Sequence, residues 1–247
     1  MKRIVMTLVA LLVATVFCIA QEDKQKKVPA DKDVIAVVLG RNITANDRDR
    51  FDGLIVGALF ESFARENKIE PTKKELGEFI VSSRKHKQQM NADFQRDRKK
   101  LKEELKLSSL SDSDRKETET RLETIESILK TNEEMRRDGR EMGEEGDLME
   151  REVAQQFVQA WKINKALYEK YGGRVIFQQA GMEPLDACRD FLKEQEKKGA
   201  FRIIDKELEG QFWLYFTNDA MHTFCSKENG AEAFRTPWWL IEKQPEE

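Results

Sequence analysis

Residues 84–152 constrain this chain most. Lys, Arg, Glu, Asp and Gln dominate the stretch, and apolar residues are sparse: Met90, Phe94, Leu101 and Leu105, then Leu122, Ile125, Ile128 and Leu129. Steps of three, four and seven mark one narrow stripe on a helix, too thin to enclose a globular core. Residues 107–112 (Leu-Ser-Ser-Leu-Ser-Asp) interrupt the stripe, and Ser111 with Asp114 offers a fresh helix start. The pattern predicts a long antiparallel helical hairpin arm over about residues 84–147, turning at 107–112. A flexible charged linker is the alternative. Gly139, Gly143 and Gly146 each weaken a helix by about 1 kcal/mol relative to Ala, so a kink or short break is expected there.

The flanks of the arm read differently. Residues 34–38 (Val-Ile-Ala-Val-Val) form a β-branched run ending at Leu39-Gly40, a short buried strand followed by a turn. Thr44 with Asp47 starts a helix with one strongly apolar face: Phe51, Leu54, Ile55, Ala58, Leu59 and Phe63. Residues 68–71 break it, and Thr72 with Glu75 forms a capping box for the next helix, which carries Leu76, Phe79 and Ile80. An apolar stripe returns over 148–171, including Val153, Phe157 and Trp161, and Gly172-Gly173 ends it. Residues 174–177 read as a second strand, Pro184 opens a helix ending at Gly199, 201–204 read as a third strand, 208–216 as a helix, and 226–232 as a loop. The expected fold class is mainly α with a few short strands. The composition suggests a leader (1–20), a linker (21–33), a helical module with its arm (34–173) and a C-terminal α/β segment (174–247).

The leader follows from the first residues. Lys2 and Arg3 precede an uncharged apolar run over 4–20, which closes with the small residues Cys18 and Ala20 at the −3 and −1 positions of a cut between Ala20 and Gln21. This is the pattern of a secretory signal peptide, with a retained anchor as the alternative. Export to a periplasm or beyond follows, with no stable membrane span left after cleavage. Of three cysteines, Cys188 and Cys225 then remain, and in an oxidising compartment they form either a disulfide or two buried thiols.

The stretch Val34, Ala36, Val38, Gly40, Ile43 and Thr44, followed by Ile69, Thr72, Glu75 and Leu76, resembles the N-terminal chaperone module of SurA-, PrsA- and PpiD-type exported folding factors. Leu39 stands where that family has Asn. The resemblance covers about residues 34–82. It implies a helical cradle for unfolded segments, closed by a later helix, a part that 148–171 could play. The parvulin prolyl-isomerase domain often found beside this module needs characteristic histidines. The chain holds only His86 and His222, so isomerase activity is not expected.

Other chemistry is thinly represented. The two histidines and two remaining cysteines lack metal-ligand spacing. No phosphate-binding loop or nucleophile elbow is present, and no cofactor is expected. The net charge is −3, or −5 once Lys2 and Arg3 leave with the leader, which excludes a nucleic-acid binder working through bulk charge. The aromatic and aliphatic faces carry two readings. Phe51, Leu54, Leu59, Phe60, Phe63, Leu76, Phe79, Phe157 and Trp161 are either core or the lining of a peptide-binding groove; Trp213, Phe216, Trp238 and Trp239 pose the same choice. The leading functional expectation is an ATP-independent, chaperone-like protein for unfolded exported polypeptides. The alternative is a structural or adaptor protein whose arm binds a partner helix or a second copy; an enzyme built on 174–241 is a third reading.

Overall fold

The computed structural model describes residues 33–178 and 181–241. The leader, the Ala20–Gln21 cut and nearly all of the linker lie outside them. The fold is mainly α. The chain divides into two compact units. A sheet unit comprises residues up to Glu70 together with Ala160–Pro237, and an arm unit comprises Pro71–Gln159 together with the residues from Trp238 onward. The unit boundaries therefore differ from the divisions that composition suggests: the C-terminal segment shares one unit with the first strand and helix.

The sheet unit is built on strand β1 (Val34–Val38). It pairs antiparallel with β2 (Arg41–Thr44) on one side and β5 (Phe201–Ile203) on the other. The β1–β2 loop is the two residues Leu39 and Gly40, at φ 48° and 76°. Positive φ at both positions is the primed hairpin turn, whose twist matches that of the strands. After β2, Asp47 Oδ2 accepts from Thr44 N and Thr44 Oγ1 at 3.5 and 3.2 Å. The helix expected from Thr44 is first a 3₁₀ segment, Ala45–Arg50, and becomes α-helical as α1 (Phe51–Glu66).

Helices α2 (Lys73–Glu104), α3 (Asp112–Met142) and the first part of α4 (Glu144–Tyr171) make the arm unit. Thr72 and Glu75 cap α2 reciprocally, at 2.7 and 3.2 Å. Ser111 Oγ accepts from Asp114 N at the start of α3. Arg115 donates to the Leu105 and Leu107 carbonyls, closing the turn between the two helices. Leu101, Thr118 and Ile125 are buried in the seam. Gly143, at φ 51°, separates α3 from α4, as the glycine cluster predicts.

The rest of the sheet unit is short elements around one core. α4 ends where Gly172 and Gly173 turn to φ 68° and 93°. The strand expected over 174–177 is β3 (Ile176–Gln178), paired antiparallel with β4 (Gly181–Glu183), a strand the sequence does not announce. Helices α5 (Leu185–Lys197) and α6 (Lys206–Thr217) follow on either side of β5. The loop expected over 226–232 is instead a short helix, α7 (Lys227–Glu232). Ser226 Oγ, accepting from Asn229 N at 3.2 Å, caps it and offsets the weak propensity of its Asn and Gly.

Candidate functional site

In the sheet unit, the expected cradle is filled by the chain itself. α5 and α6 are amphipathic, and their apolar faces cover the apolar face of α1. Phe51 lies 6.2 Å from Phe212, Phe60 lies 5.8 Å from Phe191, and Phe63 meets Phe191 edge-on at 5.3 Å. Leu59 is fully buried, and Leu54 packs against the same core. These residues are a hydrophobic core, not an open groove. Trp161 is also buried: its indole Nε1 donates to the Ala233 carbonyl at 3.1 Å. A cleft of about 270 Å³ lies beside α1, with Leu39, Phe63, Phe191, Glu66 and Lys198 among its lining residues.

The two cysteines are free thiols. Cys188 belongs to the main core on α5, where burial pushes its thiol pKa well up. Cys225 packs in a separate cluster with Val175 and Phe234, its Sγ 3.6 Å from Met182 Sδ. The two thus belong to different apolar clusters.

The sheet unit also holds polar networks that the sequence hides. Asp186 accepts from Arg174 N, Nε and an η nitrogen at 2.8–3.0 Å and from Arg189 at 2.8 Å. The Arg174 hydrogen bonds hold its carboxyl down at about 2. Arg174 also pairs with Asp219 at 2.7 Å. Elsewhere Tyr215 OH donates to Glu183 at 2.8 Å and accepts from Gln178 at 2.9 Å. His222 Nε2 lies 2.6 Å from the Tyr215 carbonyl oxygen, giving that histidine a partner. Burial raises the pKa of both Glu183 and Tyr215. These bonds tie β3, β4 and the segment after α6 together. The raised Tyr215 pKa keeps its hydroxyl a donor to Glu183 in this tie.

In the arm unit, Phe79 and Phe157 stack at 5.5 Å, and Trp238 and Trp239 close over them edge-on at 5.4–6.1 Å. Ser82 Oγ donates to the Trp239 carbonyl. The C-terminal aromatic turn thus occupies the face that Phe79 and Phe157 present, and Leu76 lies half-buried on the same helix.

A different surface of this unit is open. Asn132 on α3 bonds Asn91 on α2, and Glu150 on α4 bonds Arg84 on α2. Between these two ties α2 advances seven residues while the opposing chain advances eighteen. At 1.5 Å per residue the surplus of eleven is about 16 Å, part of which the long Arg84 and Glu150 side chains span. Gly143, at φ 51°, breaks the helix within this stretch, and residues 133–149 around it are the elbow of the arm. Exposure agrees: Arg84 to Met90 on α2 and residues 133–138 on α3 are all exposed, as are 143–149 except Gly146. Within the charged elbow stand Met135, Leu148 and Met149, at 59%, 56% and 53% exposure, and Met90 faces solvent on the α2 side.

Comparison with protein-family models, with curated proteins and with solved structures finds no match. Among the described residues no helix is long and apolar enough to cross a membrane, and no group of three or more potential metal ligands occurs.

Proposed function

We propose that this chain is an exported, ATP-independent binder of unfolded polypeptide, chaperone-like in action, whose client surface is the elbow of the arm unit. The observation that carries the reading is the exposure of three large apolar side chains, Met135, Leu148 and Met149, in a stretch rich in carboxylates and guanidinium groups. Methionine is unbranched and polarizable, so it adapts to apolar side chains of many shapes, which suits weak and sequence-tolerant binding. The surrounding charges keep the loaded complex in solution. The resemblance of residues 34–82 to exported folding factors and the signal-peptide pattern support export and this class of client. The cradle residues of α1 act as the folded core of the sheet unit in this account.

The test is light scattering of a urea-unfolded secreted protein diluted into buffer with the purified chain. Wild type is expected to suppress aggregation at near-equimolar ratio. Met135→Ser/Leu148→Ser/Met149→Ser is expected to lose most of that effect while melting at the wild-type temperature. Equal suppression by the triple variant would remove the elbow as the site.

A further inference from the structure

The arm carries a second surface with its own chemistry. At 100° per residue, Lys99 and Lys102 on α2 lie within about 60° of each other, and Lys106, in the turn just past the helix end and paired with Glu103 at 2.8 Å, extends the same line as one basic rail. Glu119, Glu123 and Glu126 form an acidic rail of the same width on α3. Lys102 Nζ meets Glu126 at 2.6 Å, so both rails border the same broad face of the antiparallel hairpin. All six residues are exposed or half-exposed. Their heights match as well. The hairpin register set by Asn91–Asn132 and by Lys102–Glu126 places Lys106 level with Glu119, Lys102 with Glu123, and Lys99 with Glu126, to within a turn.

We infer that two copies of this chain pair arm to arm through this face, tips together, about a two-fold axis parallel to the helices. That operation lays α2 of each copy on α3 of the other, so each basic rail meets an acidic rail at its own height and the pairing is self-complementary. The result is a four-helix arrangement. It also covers the flank of a seam in which Phe94, Leu105, Leu122 and Leu129 are only half-buried. A second copy fits better than an unrelated helix, which would have to reproduce both rails in this order. Contacts of this kind set partner choice and register, and they weaken with salt. The inference is independent of client binding at the elbow.

Sedimentation of the purified chain tests it. The expected result is a monomer–dimer equilibrium at about 50 mM salt that weakens at least tenfold at about 500 mM, where the Debye length shrinks to a few ångströms. Lys99→Glu/Lys106→Glu and Glu119→Lys/Glu123→Lys both leave the Lys102–Glu126 pair in place. Each is expected to sediment as a monomer, and their equimolar mixture to recover the dimer, because each copy then offers the rail the other needs. Circular dichroism checks that the variants keep their helix. Should a reversal unfold the arm, the neutral Lys99→Gln/Lys106→Gln chain carries the same test, with dimerisation weakened several-fold. A wild-type monomer at about 100 µM in low salt, a dimer indifferent to these changes, or a mixture that stays monomeric would each overturn the pairing.

Discussion

Asn132 Nδ2 donates to Asn91 Oδ1 at 2.8 Å across the arm, tying α2 to α3. Beyond it, Arg84 to Met90 on α2 and residues 133–138 on α3 are exposed. A half-buried amide pair of this kind contributes about 1 kcal/mol and, more importantly, favours one register over its neighbours. Asn132→Ala is expected to lower the protection of α2 and α3 amides near this bond about fivefold in hydrogen exchange, which is about 1 kcal/mol. Unchanged protection would show that the seam leucines alone set the register.

Leu39 occupies a left-handed backbone position, φ 48°, in the two-residue hairpin loop. A side chain branched beyond Cβ gains nothing there and costs about 1 kcal/mol relative to Asn or Gly. Leu39→Asn is expected to stabilise the chain by about that amount in urea unfolding. A loss of stability would mean that the contacts Leu39 makes in the cleft beside α1 outweigh its backbone cost.

Asp186 contributes to the acid response of the sheet unit. Its folded pKa of about 2 lies below the ordinary carboxylate value because Arg174 and Arg189 bond it. A depressed pKa contributes stability that is present above about pH 4 and lost as pH falls toward 2, here about 2 kcal/mol. Glu183 works in the opposite sense. Its raised pKa means that deprotonation costs stability as pH rises through the folded value. Urea midpoints should therefore fall between pH 4 and 2 in wild type and much less in Asp186→Asn. Glu183→Gln should melt higher than wild type at pH 7 and no higher at pH 4. Parallel pH profiles for wild type and Asp186→Asn would contradict the first assignment.

Phe191 closes the face of α1 by meeting both Phe60 and Phe63. Phe191→Ala removes that cover and leaves a cavity, at a cost of about 3–5 kcal/mol. The expected outcome is a large drop in the unfolding midpoint of the sheet unit. A variant that kept its stability and gained affinity for unfolded chains would restore α1 as a cradle.

Much of this fold is legible because its signals are local. The Thr72–Glu75 box, the Ser111 cap, the break at Gly143 and the stop at Gly172-Gly173 each reside within a few residues, and the chain obeys them. β2 and β4 escape notice because Arg41–Thr44 and Gly181–Glu183 are held by pairing to β1 and β3, not by their own alternation. α7 is missed because six residues with Asn and Gly carry almost no propensity beyond the Ser226 cap. The site is harder still. An apolar stripe such as Phe51, Leu59 and Phe63 reads the same whether a client or the chain's own α5 and α6 covers it. The elbow leaves no periodic trace, since it surrounds the break at Gly143 and not an apolar stripe.

Photo-crosslinking from defined positions separates a client held at the elbow from one held on α1. A benzophenone side chain placed at Met149, or in a separate chain at Phe60, is irradiated with a labelled unfolded polypeptide and the covalent product is measured. Strong crosslinking is expected from position 149 and little from position 60. Efficient capture from position 60 with none from 149 would place the client on α1 and contradict the elbow as its site.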